Sequence, residues 1–139
     1  MRTLIAFDGS EHALRAVEFL CQHPHILGDR AEVTVVFVAS PTPLRVVVAL
    51  GGEVLSPLPV EAERAARPAL DALRQAGIEP SVTELTGDPG LEISQLARDG
   101  NYDLVVMGSH GHGLLNRALL GSVVNKLLAH CTAPVLIVR

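Results

Sequence analysis

Apolar runs alternate with helix-period patterns along this chain. Leu4, Ile5 and Phe7 lie in a first run that predicts a strand over residues 3–7. A helix is expected from Ser10, with Leu14, Val17 and Cys21 on one stripe and Ala13 and Leu20 beside it. Ser10 suits the N-cap, because its hydroxyl can accept from an amide of the first turn. The second run, residues 32–39, holds Val33, Val35, Val36, Phe37 and Val38. A near-continuous β-branched run of this kind suits a strand buried on both faces. Residues 41–59 are the least regular, with Pro41, Pro43, Pro57, Pro59 and the pair Gly51 and Gly52. They predict a long mobile loop with a short turn near residues 46–50, and a loop this long is often functional or disordered.

The alternation then continues. A helix is expected over residues 60–75, stopping at Gly77, with Pro68 kinking it or marking a late start. A strand follows over 81–85. Asp88 and Pro89 read as an N-cap with proline at the first helical position, and Ile93, Leu96 and Ala97 as the buried stripe of that helix. A strand over 103–107 leads into a glycine-rich loop. The last helix starts at Ser122 and is expected to bury Val123, Val124, Leu127 and Leu128. A final strand covers 134–138. The series β-α-β-α-β-α-β-α-β predicts one domain over residues 1–139, of the α/β class: a doubly wound five-stranded parallel sheet with helices on both faces. Such sheets bind ligands beyond the carboxyl ends of the strands, where the winding reverses. If the first and fourth strands are neighbours, Asp8, Gly9 and Ser10 share one crevice with Gly108.

The glycine loop carries the chemistry. Gly108, Gly111, Gly121 and Ser122 are spaced G-x2-G-x9-G-S, leaving a strand and opening a helix. Glycines there remove Cβ atoms where an anion must approach the backbone, and they permit positive φ. The helix start adds about half a positive charge and Ser122 a hydroxyl. The anion this implies is the phosphate chain of a nucleotide. Asn116 and Arg117 lie where they can fold over the phosphates, and Asp8 suits ribose hydroxyls or a phosphate-bound magnesium ion. Each residue has a plainer use: Asp8 as a turn or cap before the first helix, Ser122 as an N-cap, Arg117 as a solvated charge. Competing motifs fail. A Walker loop needs Lys after Gly113, where Leu114 stands, and a dinucleotide fingerprint from Gly111 would need glycine where Asn116 stands.

Composition narrows the field. The 139 residues are 48% hydrophobic and 3% aromatic, so the core must be aliphatic. A net charge of −4 argues against general nucleic-acid binding. Cys21 and Cys131 read as buried, inert thiols in helices. No secretory signal and no membrane-length apolar run are visible, so a soluble cytoplasmic protein without membrane contact is the expectation.

The segments LIAFDGSEHALRAVEF, VTVVFVAS, TGDPGLEISQLARDGNYDLVVMGSHGHG and LLGSVVNKLLAHCTAPVLIVR together resemble the universal stress protein family, in its small single-domain form. The family's ATP-binding pattern G-x2-G-x9-G-[ST] is matched in full. The resemblance implies strand order 3-2-1-4-5 and ATP, with magnesium an accompanying option, in the crevice. Carried over by position, Ala6, Phe7 and Asp8 would lie by the adenosine, and the Val38 backbone would meet the adenine. Met107, Gly108 and Gly111 would contact ribose and phosphates. Gly121, Ser122, Val123 and Val124 would close on the phosphates. Val124 stands where some nucleotide-binding members carry a hydroxyl, and Phe7 is larger than that place suggests.

The resemblance also implies a homodimer through the last strand. Independently, Val135, Leu136, Ile137 and Val138 form an uncharged β-prone run that would invite pairing as a bare edge. No catalytic set stands out. His110 and His112 read as loop residues, with water orientation or an H-x-H metal contact as lesser readings; His23 and His25 read as surface; His130 suits the last helix's dipole. Ser109 has no visible triad partner. Three functions remain open: an ATP-binding stress-response sensor with at most slow hydrolysis, a dimeric interaction protein without nucleotide, and a hydrolase of the broader fold.

Overall fold

The computed structural model describes residues 1–28, 30–39, 58–111 and 120–139, with the side chains of 58–63 left aside. The expected turn near residues 46–50 and most of the 41–59 loop lie outside the described residues, as do His112, Asn116 and Arg117.

Five strands, β1 (Arg2–Ala6), β2 (Glu32–Ala39), β3 (Pro80–Thr86), β4 (Leu104–Gly108) and β5 (Val135–Val138), form one sheet in the order β3-β2-β1-β4-β5. Every pairing is parallel. The helices are α1 (Glu11–Gln22), α2 (Leu58–Gln75), α3 (Pro89–Asp99) and α4 (Ser122–His130), with a 3-10 turn at Pro24–Ile26. Strand alternation divides the core. Ile5, Phe7, Val35 and Val106 pack with Val17, Leu20, Ala69 and Leu73 of α1 and α2 on one face. Leu4, Ala6, Val36, Val105 and Met107 pack with Ile93, Ala97, Val124 and Leu127 of α3 and α4 on the other. This is the expected doubly wound α/β sheet.

Several local expectations shift. β1 ends at Ala6, although the Phe7 amide still donates to the Val36 carbonyl at 3.0 Å. α2 begins at Leu58, takes in Pro59 and runs on through Pro68, an exposed position where the ring projects into solvent. α4 buries Val124 and Leu127, while Val123 is half-buried and Leu128 is 45% exposed. Nine residues give this helix a narrower buried stripe than the sequence pattern suggests. The α4 N-cap is Gly121, which makes Ser122 the first helical residue. Cys131 lies past the helix as its extended C-cap, half-buried, with its thiol toward the Ala133 carbonyl. Cys21 is also half-buried; burial pushes its thiol up from the ordinary value, and it donates to the Ala72 carbonyl.

Parallel pairing places Ala6 opposite Val36 on one side and Met107 on the other. The strands flanking β1 connect in opposite directions, β2 onward to β3 and β4 onward to β5. The carboxyl ends of β1, β2 and β4 therefore open at the point where the winding reverses.

Candidate functional site

The chain leaves β1 through a tight turn. Asp8 Oδ1 accepts from the Ser10 amide at 2.9 Å, and Gly9 takes φ 82°. Ser10 then caps α1 as expected, its buried hydroxyl accepting from the Ala13 amide at 3.2 Å. Asp8 thus has the turn role its position allows, and its carboxylate also stands at the glycine loop. A Cβ built on Gly111 would lie 2.7 Å from Asp8 Oδ2.

The glycines of the loop serve different ends. None of Gly108, Gly111 and Gly121 has positive φ, so space and not backbone conformation is what they provide. At Gly108 that space belongs to the fold. A Cβ there would stand 2.4 Å from the His12 carbonyl carbon and 2.7 Å from the Ala13 amide nitrogen, because α1 crosses directly over the end of β4. At Gly111 the nearest atom is the end of an exposed side chain, and the space is that of the crevice.

The segment after β4 is pinned through its backbone. The Ser109 amide donates to the Val138 carbonyl at 2.8 Å. The Ser109 carbonyl accepts from the Gly121 amide at 3.0 Å, and the His110 carbonyl from the Ser10 hydroxyl at 3.4 Å. Gly121 therefore spends its amide on the protein itself, and what it offers the cavity is space. A helix start leaves its first amides without intrahelical acceptors, and among the described residues no side chain caps α4. The remaining amides of that first turn belong to Ser122, Val123 and Val124.

These pieces enclose an open cavity of about 290 Å³. Its lining holds the residues that the resemblance places at a nucleotide crevice: Ala6, Phe7 and Asp8 from β1 and its turn, Val38 from β2, Met107, Gly108 and Gly111 from β4 and its loop, and Gly121, Ser122, Val123 and Val124 from α4, while Gly9 and Ser10 lie outside it. It also holds Ala13, Val36, Pro89 and Ile93, which sequence reasoning left out, and His110, which it read chiefly as a loop residue. Period two on β2 links Val36 to Val38, and helical spacing links Pro89 to Ile93, but only the packing of α3 shows that this face meets the cavity. β2 and α3 contribute apolar side chains alone. The polar groups come from the two loops and the start of α4.

Around the cavity, Ser109 Oγ lies 3.0 Å from His110 Nδ1, and the His12 and His110 rings are 5.2 Å apart at 52°. Asp88 caps α3 by accepting from the Leu91 amide, and Lys126 of α4 donates to its other oxygen at 2.6 Å. The Lys126 hydrogen bond holds the Asp88 carboxyl below its ordinary value, with two backbone amides adding to the effect. His23 is a correction: its ring is half-buried, hydrogen-bonds the Phe19 carbonyl at 2.8 Å and stacks on the Phe19 ring, while His25 is exposed. Among the described residues no group of His, Cys, Asp and Glu could hold a metal ion, and no helix is long and apolar enough to cross a membrane.

The fold and the crevice define a class: a doubly wound α/β domain with a pocket at the reversal point of its sheet. The chain belongs to the universal stress protein family, whose family model matches residues 1–139. The "Universal stress protein in QAH/OAS sulfhydrylase 3′ region" of Thermus aquaticus is 33% identical over 137 residues, spanning 98% of this chain and 96% of the relative. The structure of MJ0577, a universal stress protein of Methanocaldococcus jannaschii, superposes with TM-score 0.80 at 28% identity, over 99% of this chain and 94% of that one. A universal stress protein in complex with cAMP superposes with TM-score 0.70 at 25% identity, over 100% and 96%.

Proposed function

We propose that residues 1–139 form a single adenine-nucleotide-binding domain that acts as a stress-response sensor or regulatory module. One observation carries this reading: a helix start that no described side chain caps, together with Gly108 and Gly111, meets an apolar wall in one cavity. The wall of Val36, Val38, Pro89 and Ile93 suits a base, which gains by leaving water. The amides of Ser122, Val123 and Val124, the Ser122 hydroxyl and the space at Gly111 suit phosphate oxygens. The cAMP complex of a relative supports the same ligand class.

ATP is the ligand we propose, consistent with the complete G-x2-G-x9-G-S spacing. Ala6, Phe7 and Asp8 would lie by the adenosine, and Met107, Gly108 and Gly111 by ribose and phosphates. Asp8 is the one carboxylate in the described lining, so a magnesium ion would be held chiefly by phosphates and water. Hydrolysis is proposed to be slow at most. Calorimetry with ATP and Mg²⁺ tests the reading; no heat of binding at high micromolar nucleotide ends it.

We further propose a homodimer through β5. All four of its residues are half-buried in the isolated chain, and among the described residues β5 ends the sheet order with β4 as its one neighbour. Such an edge presents backbone groups that a second copy can pair. Sedimentation equilibrium at tens of micromolar protein gives the answer, and a monomer throughout would remove this part of the proposal. A soluble cytoplasmic location is proposed on the same family grounds, and fractionation of cells checks it.

A further inference from the structure

We propose that Asp88 and Lys126 are positioning residues for the crevice: their ion pair holds the apolar wall and the amide-bearing turn of α4 at the separation a nucleotide needs. The inference rests on the adenine-nucleotide reading and names what sets the spacing between the two halves of that site.

The two halves sit on different helices. Pro89 and Ile93 of α3 belong to the wall, and Ser122, Val123 and Val124 to the first turn of α4. Asp88 adjoins Pro89, and Lys126 lies one helical turn beyond Ser122. Lys126 Nζ donates to Asp88 Oδ2 at 2.6 Å, which ties one helix to the other beside the cavity. The helices also touch at this point. A Cβ built on Gly90 would lie 2.8 Å from Lys126 Cβ and 3.2 Å from the Val123 carbonyl oxygen. Without that carbon, the lysine stem lies directly against the α3 backbone.

Both partners are ordered before they meet. Asp88 Oδ1 is fixed by the Leu91 amide as the cap of α3, which aims Oδ2 at the lysine. The Lys126 stem is held against Gly90. A pair so prepared gives up less side-chain freedom than an ordinary surface pair. The Lys126 and Asp88 side chains are 45% and 40% exposed, so water screens them and their influence is a few-fold. A ligand that touches one half of the site is indifferent to the separation. A ligand with a base on the wall and a phosphoryl group on the α4 amides must feel it. Coupling is reciprocal, so such a ligand must also tighten the pair by the same factor.

Calorimetry with AMP and with adenosine tests one side of the coupling. Lys126→Met keeps the stem without the charge, and Asp88→Asn keeps the cap without the charge. Each should lose about threefold in AMP affinity, with adenosine affinity unchanged. The double variant should lose no more than either single one, and Lys126→Arg should recover most of the loss. The other side is read in the parent. Lys126 is the one lysine of the chain, so acetylation by N-hydroxysuccinimide acetate, followed by mass spectrometry, reports this pair beside the N-terminal amine. Saturating AMP should slow acetylation of Lys126 about threefold and leave the N-terminal amine unchanged. That protection should vanish in Asp88→Asn. Losses that add in the double variant, equal losses for AMP and adenosine, unchanged AMP affinity, a gain of AMP affinity in Asp88→Asn, or a lysine that AMP does not protect would each overturn the inference while leaving the nucleotide reading in place. A parent that binds neither ligand removes both. The acetylation rate in the parent needs no variant, so it decides even if Lys126→Met fails to fold.

Discussion

Gly108→Ala separates the glycines that serve the fold from those that serve the ligand. The added methyl would stand 2.4 Å from the His12 carbonyl carbon, 2.6 Å from its oxygen and 2.7 Å from the Ala13 nitrogen. Ordinary carbon contacts lie at about 3.5–4.0 Å, so α1 must move off β4 by about an ångström. These are helix backbone atoms and cannot rotate aside. α1 also carries Ala13, Ala16, Val17 and Leu20 into the core, and all would lose contact as it moved. Overpacking of a well-packed site costs about 1–3 kcal/mol, and an unyielding backbone places this change at the upper end. For a chain of this length about 3 kcal/mol lowers the melting temperature by about 10 °C. Urea unfolding followed by circular dichroism measures it, with Gly121→Ala as the comparison. The Gly121 methyl would sit 3.3 Å from the Ser109 oxygen at an ordinary φ of −60°, and should cost no more than about 1 kcal/mol. A Gly108→Ala midpoint equal to the parent's, or a larger loss at Gly121, would refute the reasoning.

Other changes test neighbouring claims. Gly111→Val should leave the melting temperature within a few degrees of the parent's, because the Asp8 carboxylate it meets is exposed, yet abolish measurable nucleotide binding by calorimetry; tight binding would contradict its place in the crevice. Thr3→Val should raise stability by about 1 kcal/mol in urea, since the Thr3 hydroxyl is fully buried and finds no partner among the described residues. The Asp88 carboxyl is lowered from 3.8 by Lys126, so its contribution is present above that value and is lost as pH falls through the lower folded one. Lys126→Met should move the Asp88 titration, followed by NMR, back toward 3.8.

Much of this was legible because it is written in short-range pattern. The β2 run is nearly continuous in apolar residues, broken by Thr34, and the strand ends at Ala39 as its pattern predicts. Ser10 and Asp88 were readable as caps because capping is a contact within one helical turn. The joint placement of Ala6, Asp8, Val38, Gly111 and Ser122 came from the family resemblance, because the β-α alternation leaves open which strand ends are neighbours and only the implied strand order brings these together. What stayed hidden depends on contacts between distant segments. Gly108 looks like a loop glycine in sequence, and only the crossing of α1 shows that it gives the helix room. The Gly121 amide is committed to the Ser109 carbonyl, a contact across twelve residues that no motif spacing records. Pro89 and Ile93 belong to the cavity because α3 leans on the carboxyl end of β2, which no periodicity records. Leu128 has the right spacing to be buried, but a helix of nine residues covers only part of the sheet.

The cavity wall draws on β1 and its turn, on Val36 and Val38, on Pro89 and Ile93, on the end of β4 and on the start of α4, stretches drawn from nearly the whole length of the polypeptide. No fragment short of the assembled sheet owns it. Whatever occupies the hollow is a rivet through layers otherwise joined by packing and a few hydrogen bonds, such as Ser10 to His110 and Gly121 to Ser109, so its grip would be felt as resistance to opening. Occupancy and integrity become one quantity, and a partner that reads the rigidity of this domain would be reading the supply of its ligand.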